Sequence, residues 1–482
     1  MQASKKITKN TFVYFAANII TKAAAYLLIP IYTIYLSPAE YGILNIIGIV
    51  SALLFIIIIL GLKSAISRFT PEYPDRSSLQ KKFLGNITCF VALTGIIAAF
   101  TLSYFGELIF GALFSDVPYF PFLFIAVWMS FFKLFKTLKL AIFQVRHQAV
   151  RYSVLEYGFI LANIILTVVV VAFLKKGLSG KIWLDFILAA LAALVSIVLL
   201  IKDIKPNLNF KEIAAPLKYS IPLIPHMLAG FLLSAIDRIF LEQLTDLSMV
   251  GIYSLAFNIA LLIQMFTESV RLSYTPFFNE TAIKQGKKAN PAFARYTTYG
   301  FLLYTAAGVL LIVFSKEFIT LFAADAYLKA YTLLPVIVFT NVINGLYFFF
   351  MRPLMFLKTH TKFVSAATIL SAIINIILNY FLIIRFDMLG AAWATFAAVG
   401  IKVALVYYFA QKSYPIPYEI KRLSVLFGIL LLSLGVFYIA EFADWSLTVA
   451  IPAKILFLAA IPVVLLRTHF LKKDEYQYFR NF

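Results

Sequence analysis

Residues 42–62 read GILNIIGIVSALLFIIIILGL, 21 consecutive residues without a single charge. A helix needs about 20 apolar residues to cross the hydrocarbon core of a bilayer. A run this long and this apolar is therefore read as a membrane span. Extending the same reading along the chain predicts fourteen spans, near 11–35, 42–62, 83–105, 118–141, 154–174, 182–201, 217–241, 249–275, 296–315, 328–351, 363–384, 388–411, 423–440 and 448–466. The connections are short, and none is long enough to be a soluble domain. Composition agrees. Of 482 residues 62% are hydrophobic and 13% charged, whereas a soluble domain carries roughly 45–50% apolar and about 25% charged residues. That much apolar surface needs lipid to cover it. The 49 Phe and 27 Tyr suit rings gathered at lipid–water interfaces. The expected class is an all-α polytopic membrane protein.

Charge supplies a test of the topology. The formal net charge is +20, from 42 Lys and Arg against 22 Asp and Glu. On a soluble chain this would suggest nucleic acid. Membrane proteins, however, collect Lys and Arg on the cytoplasmic side, and no nucleic-acid partner is expected. With the N-terminus placed inside and the spans alternating, 31 basic residues fall inside and 6 outside. The other 5, Lys22, Arg238, Arg271, Lys402 and Lys454, fall within spans. One missed helix would scramble that asymmetry, so both termini are expected to be cytoplasmic. Lys5, Lys6 and Lys9 resemble the start of a signal peptide. The apolar stretch after them is too long and contains Lys22, so no cleavage is expected. The single cysteine, Cys89, excludes an intrachain disulfide and leaves the redox compartment open.

An internal repeat follows from short matches at nearly one offset. Leu36-Ser37 leading to Gly42-Ile43 recurs as Leu244-Thr245 leading to Gly251-Ile252, the glycines 209 apart. Asn163-Ile164-Ile165-Leu166 recurs as Asn375-Ile376-Ile377-Leu378, at 212. Gly180 and Trp183 recur as Gly390 and Trp393, at 210, and Arg151-Tyr152 has a counterpart in Lys362-Phe363, at 211. The expected organisation is two pseudo-symmetric six-helix lobes, residues 1–205 and 206–412. Residues 413–482 add two further helices and a basic tail. Six is even, so the lobes point the same way, as in parallel-repeat transporters, with the substrate site expected between them.

A charge inside a bilayer costs at least a few kcal/mol and asks for a reason. Lys22 lies near the middle of its span, where snorkelling reaches water poorly. It reads as a cavity-facing cation for an anion, or as the partner of a carboxylate. Arg238 reads as a ligand or as a group that caps or pairs near the outer surface, and Lys402 as a ligand or as a long stem that snorkels inward. Glu268 and Arg271 are three apart on one helix face, where opposite charges pair. Asp237 and Arg238 are adjacent, so they leave the helix in different directions. Of these six residues within the lobes, four are basic and two acidic, which favours an anionic substrate. Pro30, Pro222 and Pro225 read as hinge positions or as kinks that serve packing.

Other chemistry finds no footing. The four histidines, at 147, 226, 360 and 469, lack metal-ligand spacing. No phosphate-binding glycine loop appears, so ATP hydrolysis is not expected. No acidic cluster or large external loop suggests a glycosyltransferase or membrane polymerase. The expectation is a transporter, not an enzyme.

Several motifs carry a family resemblance. They are Leu36-Ser37-Pro38-Ala39-Glu40-Tyr41-Gly42, Ser220-Ile221-Pro222-Leu223-Ile224-Pro225, Asp237-Arg238-Ile239-Phe240-Leu241 and Val250-Gly251-Ile252-Tyr253-Ser254-Leu255. With the length and the two-lobe repeat, the chain resembles the polysaccharide-biosynthesis flippases. These are the O-antigen and capsule repeat-unit transporters of the multidrug/oligosaccharidyl-lipid/polysaccharide exporter superfamily. The resemblance implies a multi-pass protein of the bacterial cytoplasmic (inner) membrane. It also implies a polyprenyl-diphosphate-linked oligosaccharide as substrate, and as partners a polysaccharide polymerase and other assembly proteins. Coupling to a proton or sodium gradient is implied in place of a cofactor. Lys22, Arg238, Arg271 and Lys402 would then line the diphosphate site, and Glu268 or Asp237 would exchange the coupling ion. Two relatives compete with this reading, a multidrug exporter of the same superfamily and a peptidoglycan-precursor (lipid II) flippase.

Overall fold

The computed structural model describes residues 26–468 and 470, apart from 358 and 444. Among them are eleven helical stretches long and apolar enough to cross a membrane, and no strand. The expected first span, 11–35, lies largely outside the described residues, and so does Lys22.

The described residues up to Ser254, with Ala323–Tyr327, form one compact unit. Its helices are α1 (Leu28–Tyr35), α2 (Pro38–Ile58), α3 (Leu62–Phe69), α4 (Ser78–Gly111), α5 (Phe124–Val145), α6 (Ala149–Thr167), α7 (Gly177–Ile201), α8 (Phe210–Ser220), α9 (Ile224–Leu244) and the start of α10 (Leu247–Ala260). The start of α2 shows how local sequence sets a boundary. The Ser37 side chain accepts from Glu40 N–H while the Glu40 carboxylate accepts from Ser37 N–H at 2.8 Å, and Pro38 occupies the first turn. This capping box satisfies two donors that a helix start leaves free. α5 is the hub, packed against α2, α4 and α7 through Ile125, Val127, Leu134, Leu138 and Ala141, all essentially buried.

Glycines decide one close crossing. A Cβ on Gly42 would sit 2.2 Å from the Leu247 carbonyl oxygen, and one on Gly251 1.9 Å from that of Pro38. The starts of α2 and α10 meet backbone to backbone at the two glycines that the repeat relates.

One end of this unit is tied by charge. Asp203, just after α7, accepts from both Lys139 and Arg146. Arg146 also donates to Asp75 at 3.1 Å and to Gln80 at 2.9 Å. Burial pushes the Asp203 carboxyl up, but the hydrogen bonds and charges of Lys139 and Arg146 outweigh it and hold the group below its ordinary value.

Leu255–Phe322 and the residues from Leu328 onward form the second compact unit. The division by packing falls inside α10. This unit contains α11 (Leu262–Gln285), α12 (Asn290–Val313), α13 (Ser315–Phe322), α14 (Ala330–Phe356), α15 (Thr361–Ser413), α16 (Ile420–Phe442) and α17 (Leu447–Arg467). α14 is its hub, against α15, α12 and α11. α15 is 53 residues long and breaks at Asp387, whose φ of 47° and ψ of −131° are not helical. The break falls between the spans expected at 363–384 and 388–411. The last two helices are fixed by charge: Glu419 accepts from Arg422 at 2.7 Å and from Thr298 at 2.8 Å. Lys454, one of the five basic residues expected within spans, donates to Glu317 at 2.6 Å and is 4% exposed. Its charge is thereby accounted for by structure.

Candidate functional site

The second unit holds a charged cleft. α11 carries Glu268, Arg271, Tyr274 and Thr275 at helical spacing, so they share a face. Arg271 and Tyr274 face the end of α14, with Phe348, Phe349 and Arg352, and Tyr304 of α12. Together they line a cleft of about 70 Å³. Arg271 donates to Glu268 Oε2 at 2.9 and 2.7 Å from Nε and Nη2. The side chains are 42% and 41% exposed, and so solvated a pair holds its partners weakly. Arg352 donates from Nη2 to Asn279 Oδ1 at 2.5 Å. Its Nε–H is buried and, among the described residues, meets no acceptor; the Tyr274 hydroxyl is in the same position. A buried donor without a partner costs about 1–3 kcal/mol, and a fold retains such a group where something else satisfies it. The walls are aromatic: Tyr274 lies 5.0 Å from both Tyr296 and Phe349. Two guanidinium groups against one carboxylate leave the cleft net positive. Guanidinium presents a planar fork of donors that matches phosphate oxygens.

The other expected ligands are not gathered at this cleft. Lys402 is 7% exposed, with its ammonium 4.6 Å from the centroid of the Tyr347 ring. Among the described residues no carboxylate pairs with it. A cation–π contact alone supplies about 2 kcal/mol in a desolvated setting, less than burial of a free ammonium costs. Arg238 and Asp237 belong to the first unit and to each other. Arg238 Nη1 lies 3.3 Å from Asp237 Oδ1 and donates to the Ser234 carbonyl at 2.6 Å, and Tyr253 donates to Asp237 Oδ2 at 2.6 Å. Both residues are buried, Asp237 at 1% exposure and Arg238 at 5%. The long arginine stem folds back along the helix and overcomes the divergent directions that adjacency implies. Pro222 lies in a tight turn, Ile221–Leu223, joining α8 to α9, and Pro225 in the first turn of α9. Pro30 lies within α1.

Two features escape a reading by residue. Arg352 falls, by span count, in a cytoplasmic connection, yet α14 runs on through it to Phe356 and carries it into the cleft. The tally of charges within spans also omits Glu156, which pairs with Lys136 at 2.9 Å, and Asp185. The tally likewise omits the basic Lys133, Lys136 and Lys139 inside the expected span 118–141. A second polar site lies on the broken helix α15. Asn375 and Asn379 are fully buried, four apart on one face. Asn375 Nδ2 donates to Thr395 Oγ1 at 3.3 Å, and Asn379 Nδ2 to the Asn375 carbonyl at 2.9 Å. Both Oδ1 atoms meet no donor among the described residues. Oxygen-only surroundings of this kind suit a hard cation. The signal for it was Asn375 itself, one of the repeated positions. Among the described residues no cluster of His, Cys, Asp and Glu could hold a metal ion.

Polar and charged groups held inside long apolar helices, some of them uncommitted, suit the carriage of polar cargo through lipid. The class is that of a multi-pass membrane transporter. Residues 7–282 match the family described as polysaccharide biosynthesis protein, and residues 222–381 match the MatE family. The chain belongs to the polysaccharide biosynthesis protein family, flippases of the multidrug/oligosaccharidyl-lipid/polysaccharide exporter superfamily. It is 23% identical to protein 1 of the Lsg locus of Haemophilus influenzae, over 77% of this chain and 90% of that one. It is also 23% identical, over 41% of this chain and 42% of that one, to a Haloferax volcanii protein named "Probable low-salt glycan biosynthesis flippase Agl15". Its fold is that of the lipid II flippase MurJ in an inward closed conformation, with a TM-score of 0.76 at 17% identity, covering 95% of this chain and all of that one. An inward-facing multidrug transporter of the MATE family aligns with a TM-score of 0.61 at 14% identity, over 81% and 94% of the two chains.

Proposed function

We propose that the protein moves a polyprenyl-diphosphate-linked oligosaccharide from the cytoplasmic to the outer leaflet of the bacterial inner membrane, for cell-surface polysaccharide synthesis. Transport runs by alternating access of two lobes and is driven by an ion gradient. The observation that carries this reading is the cleft of Arg271 and Arg352, where two guanidinium groups and an unsatisfied N–H stand between aromatic walls. A diphosphate supplies the acceptors and the negative charge that these groups lack, and aromatic faces suit sugar rings. A multidrug exporter for cationic drugs would place acidic groups there instead. Lys402 fits the same anionic cargo, and Lys22 is assigned to it on the sequence reading alone. For coupling, the amide oxygens of Asn375 and Asn379 with the Thr395 hydroxyl offer a monovalent cation neutral oxygen ligands. Glu268, already tied to Arg271, is the candidate for proton exchange. Asp237 is the less accessible alternative, because Tyr253 and Arg238 occupy it. The partners of this activity are the lipid-linked substrate, the bilayer and the polysaccharide polymerase with its assembly proteins.

The test is transfer between leaflets of liposomes holding the purified protein and a polyprenyl-diphosphate oligosaccharide, with and without an imposed sodium or proton gradient. Wild type should show gradient-dependent transfer. Arg352→Leu, with its gel-filtration profile unchanged, should lose about tenfold or more, the worth of one or two charged hydrogen bonds. Lys22→Ala should also lose transfer. Gradient-driven movement of a cationic dye without lipid transfer would favour the drug-exporter reading. Equal transfer of a peptidoglycan precursor would favour the lipid II reading.

A further inference from the structure

The two halves of the repeat differ in chemistry at one corresponding place. Asn163 and Thr167 correspond to Asn375 and Asn379 at an offset of 212, and Lys181 and Asp185 correspond to Ala391 and Thr395 at 210. Between these positions each half turns through residues of positive φ, Lys175 at 50° and Gly177 at 55° in one, Asp387 at 47° in the other. Both halves thus turn between the compared positions, the first through a connection two residues longer, and the side chains are compared in this register.

In the first unit the Lys181 ammonium donates to Asn163 Oδ1 at 3.1 Å and to Asp185 Oδ1 at 2.5 Å. Asn163 Nδ2 donates to the same Asp185 oxygen at 2.6 Å. Lys181 is 4% exposed, and Thr167 is fully buried beside it in sequence register, donating to the Asn163 carbonyl. In the second unit the lysine is Ala391, and Asn375 Oδ1, the counterpart of the oxygen that Lys181 engages, meets no donor among the described residues. A fixed ammonium in one repeat stands where the other presents bare oxygens.

We propose that Lys181 is a tethered cation that fills the first unit's copy of a monovalent-cation site. Only the second unit's copy then takes an exchangeable ion. This rests on the cation reading of the Asn375, Asn379 and Thr395 cluster. An ammonium and an alkali ion carry the same charge and seek the same oxygens. The lysine brings its cation covalently and cannot release it, so the first unit is held in its cation-bound form throughout the cycle. Without the lysine, the Asp185 carboxylate, the Asn163 amide oxygen and the Thr167 hydroxyl would form a site of net negative charge. Such a site attracts a cation more strongly than the neutral one in the second unit. Among the described residues, Tyr32 of α1, whose surroundings include Asp185 and Thr167, is a further titratable group facing it.

The experiment is thermal unfolding of the purified full-length protein in detergent, in sodium chloride against choline chloride at equal ionic strength. In wild type, sodium should raise the melting temperature, and Asn375→Ala with Thr395→Val should remove that rise. Adding Lys181→Met to this blocked background should restore a sodium-specific rise of roughly 1–3 °C at sodium ten times its dissociation constant. Asp185→Asn should abolish the restored rise, and Lys181→Arg, still a tethered cation, should show none. If the Lys181→Met protein melts alike in both salts, at any temperature, Lys181 is a structural ion pair and the proposal fails. A Lys181→Met protein that aggregates in choline but is monodisperse in sodium supports the proposal, and aggregation in both overturns it. A response in the Lys181→Met protein with none in wild type keeps the first-unit assignment and removes the second-unit coupling site.

Discussion

Arginine at position 352 shows how one residue can be misplaced by counting and placed by packing. Its charge looks cytoplasmic because it follows a span. Its guanidinium nevertheless faces Arg271 across a cleft, one N–H committed to Asn279 and another to nothing described. Two like charges at such a site are stable only with an anion or with solvent between them. Asp203 represents the opposite case, a charge fully used within the fold. Its folded value lies below the ordinary 3.8, so the folded state binds its proton less readily than the unfolded chain does. The resulting stability is present above that ordinary value and is lost as the pH falls through the folded one. Asp203→Asn should therefore lower stability by about 1–2 kcal/mol between pH 5 and 8. The difference from wild type should shrink to nothing as the pH falls below 3.8. Melting in detergent across that range measures it, and a constant difference down to the lowest pH would contradict the assignment.

At the scale of elements, glycine decides where helices touch. α2 and α10 meet at Gly42 and Gly251, where an added methyl would press on a carbonyl oxygen of the other helix at 2.2 or 1.9 Å. Backbone cannot swing aside as a flexible side chain can. Gly42→Ala and Gly251→Ala should each destabilise by about 1–3 kcal/mol, and the pair by less than their sum, because one separation relieves both. At Gly48, also on α2, an added methyl would meet nothing within 4 Å. Gly48→Ala should leave stability unchanged or raise it by about 0.5–1 kcal/mol, through better helix propensity. Equal losses at all three positions would mean that helix propensity, not the crossing, sets the effect. The long helix α15 carries the complementary lesson. Its break at Asp387 sets Thr395 opposite Asn375, so a polar pair forms across a corner that an unbroken helix would not have.

At the scale of the molecule, the 31-to-6 asymmetry of basic residues predicts a side for each connection. Cys89 is the only native cysteine, so Cys89→Ser provides a clean background for labelling single engineered cysteines. Lys287→Cys should react with an impermeant maleimide only in inverted or opened vesicles, and Asp325→Cys in intact cells. Reversed labelling would invert the topology and, with it, the direction of transport.

The sequence by itself determined the class of protein. Spans of about 20 apolar residues are read locally, because lipid imposes the same demand on every helix that crosses it. It also determined the pairing of Glu268 with Arg271, three residues apart on one helix face, and the repeat that links Asn163 to Asn375. It could not show that Arg238 is committed to its neighbour Asp237, that Lys454 is committed to Glu317, or that Arg352 meets Arg271. Nor could it show that Lys181 supplies a cation where Ala391 supplies none. Those outcomes depend on which helix faces pack together, over separations such as the 137 residues between Glu317 and Lys454. No local pattern encodes such partners. Whether a buried charge is a strut or a ligand is settled by the partner that packing brings to it.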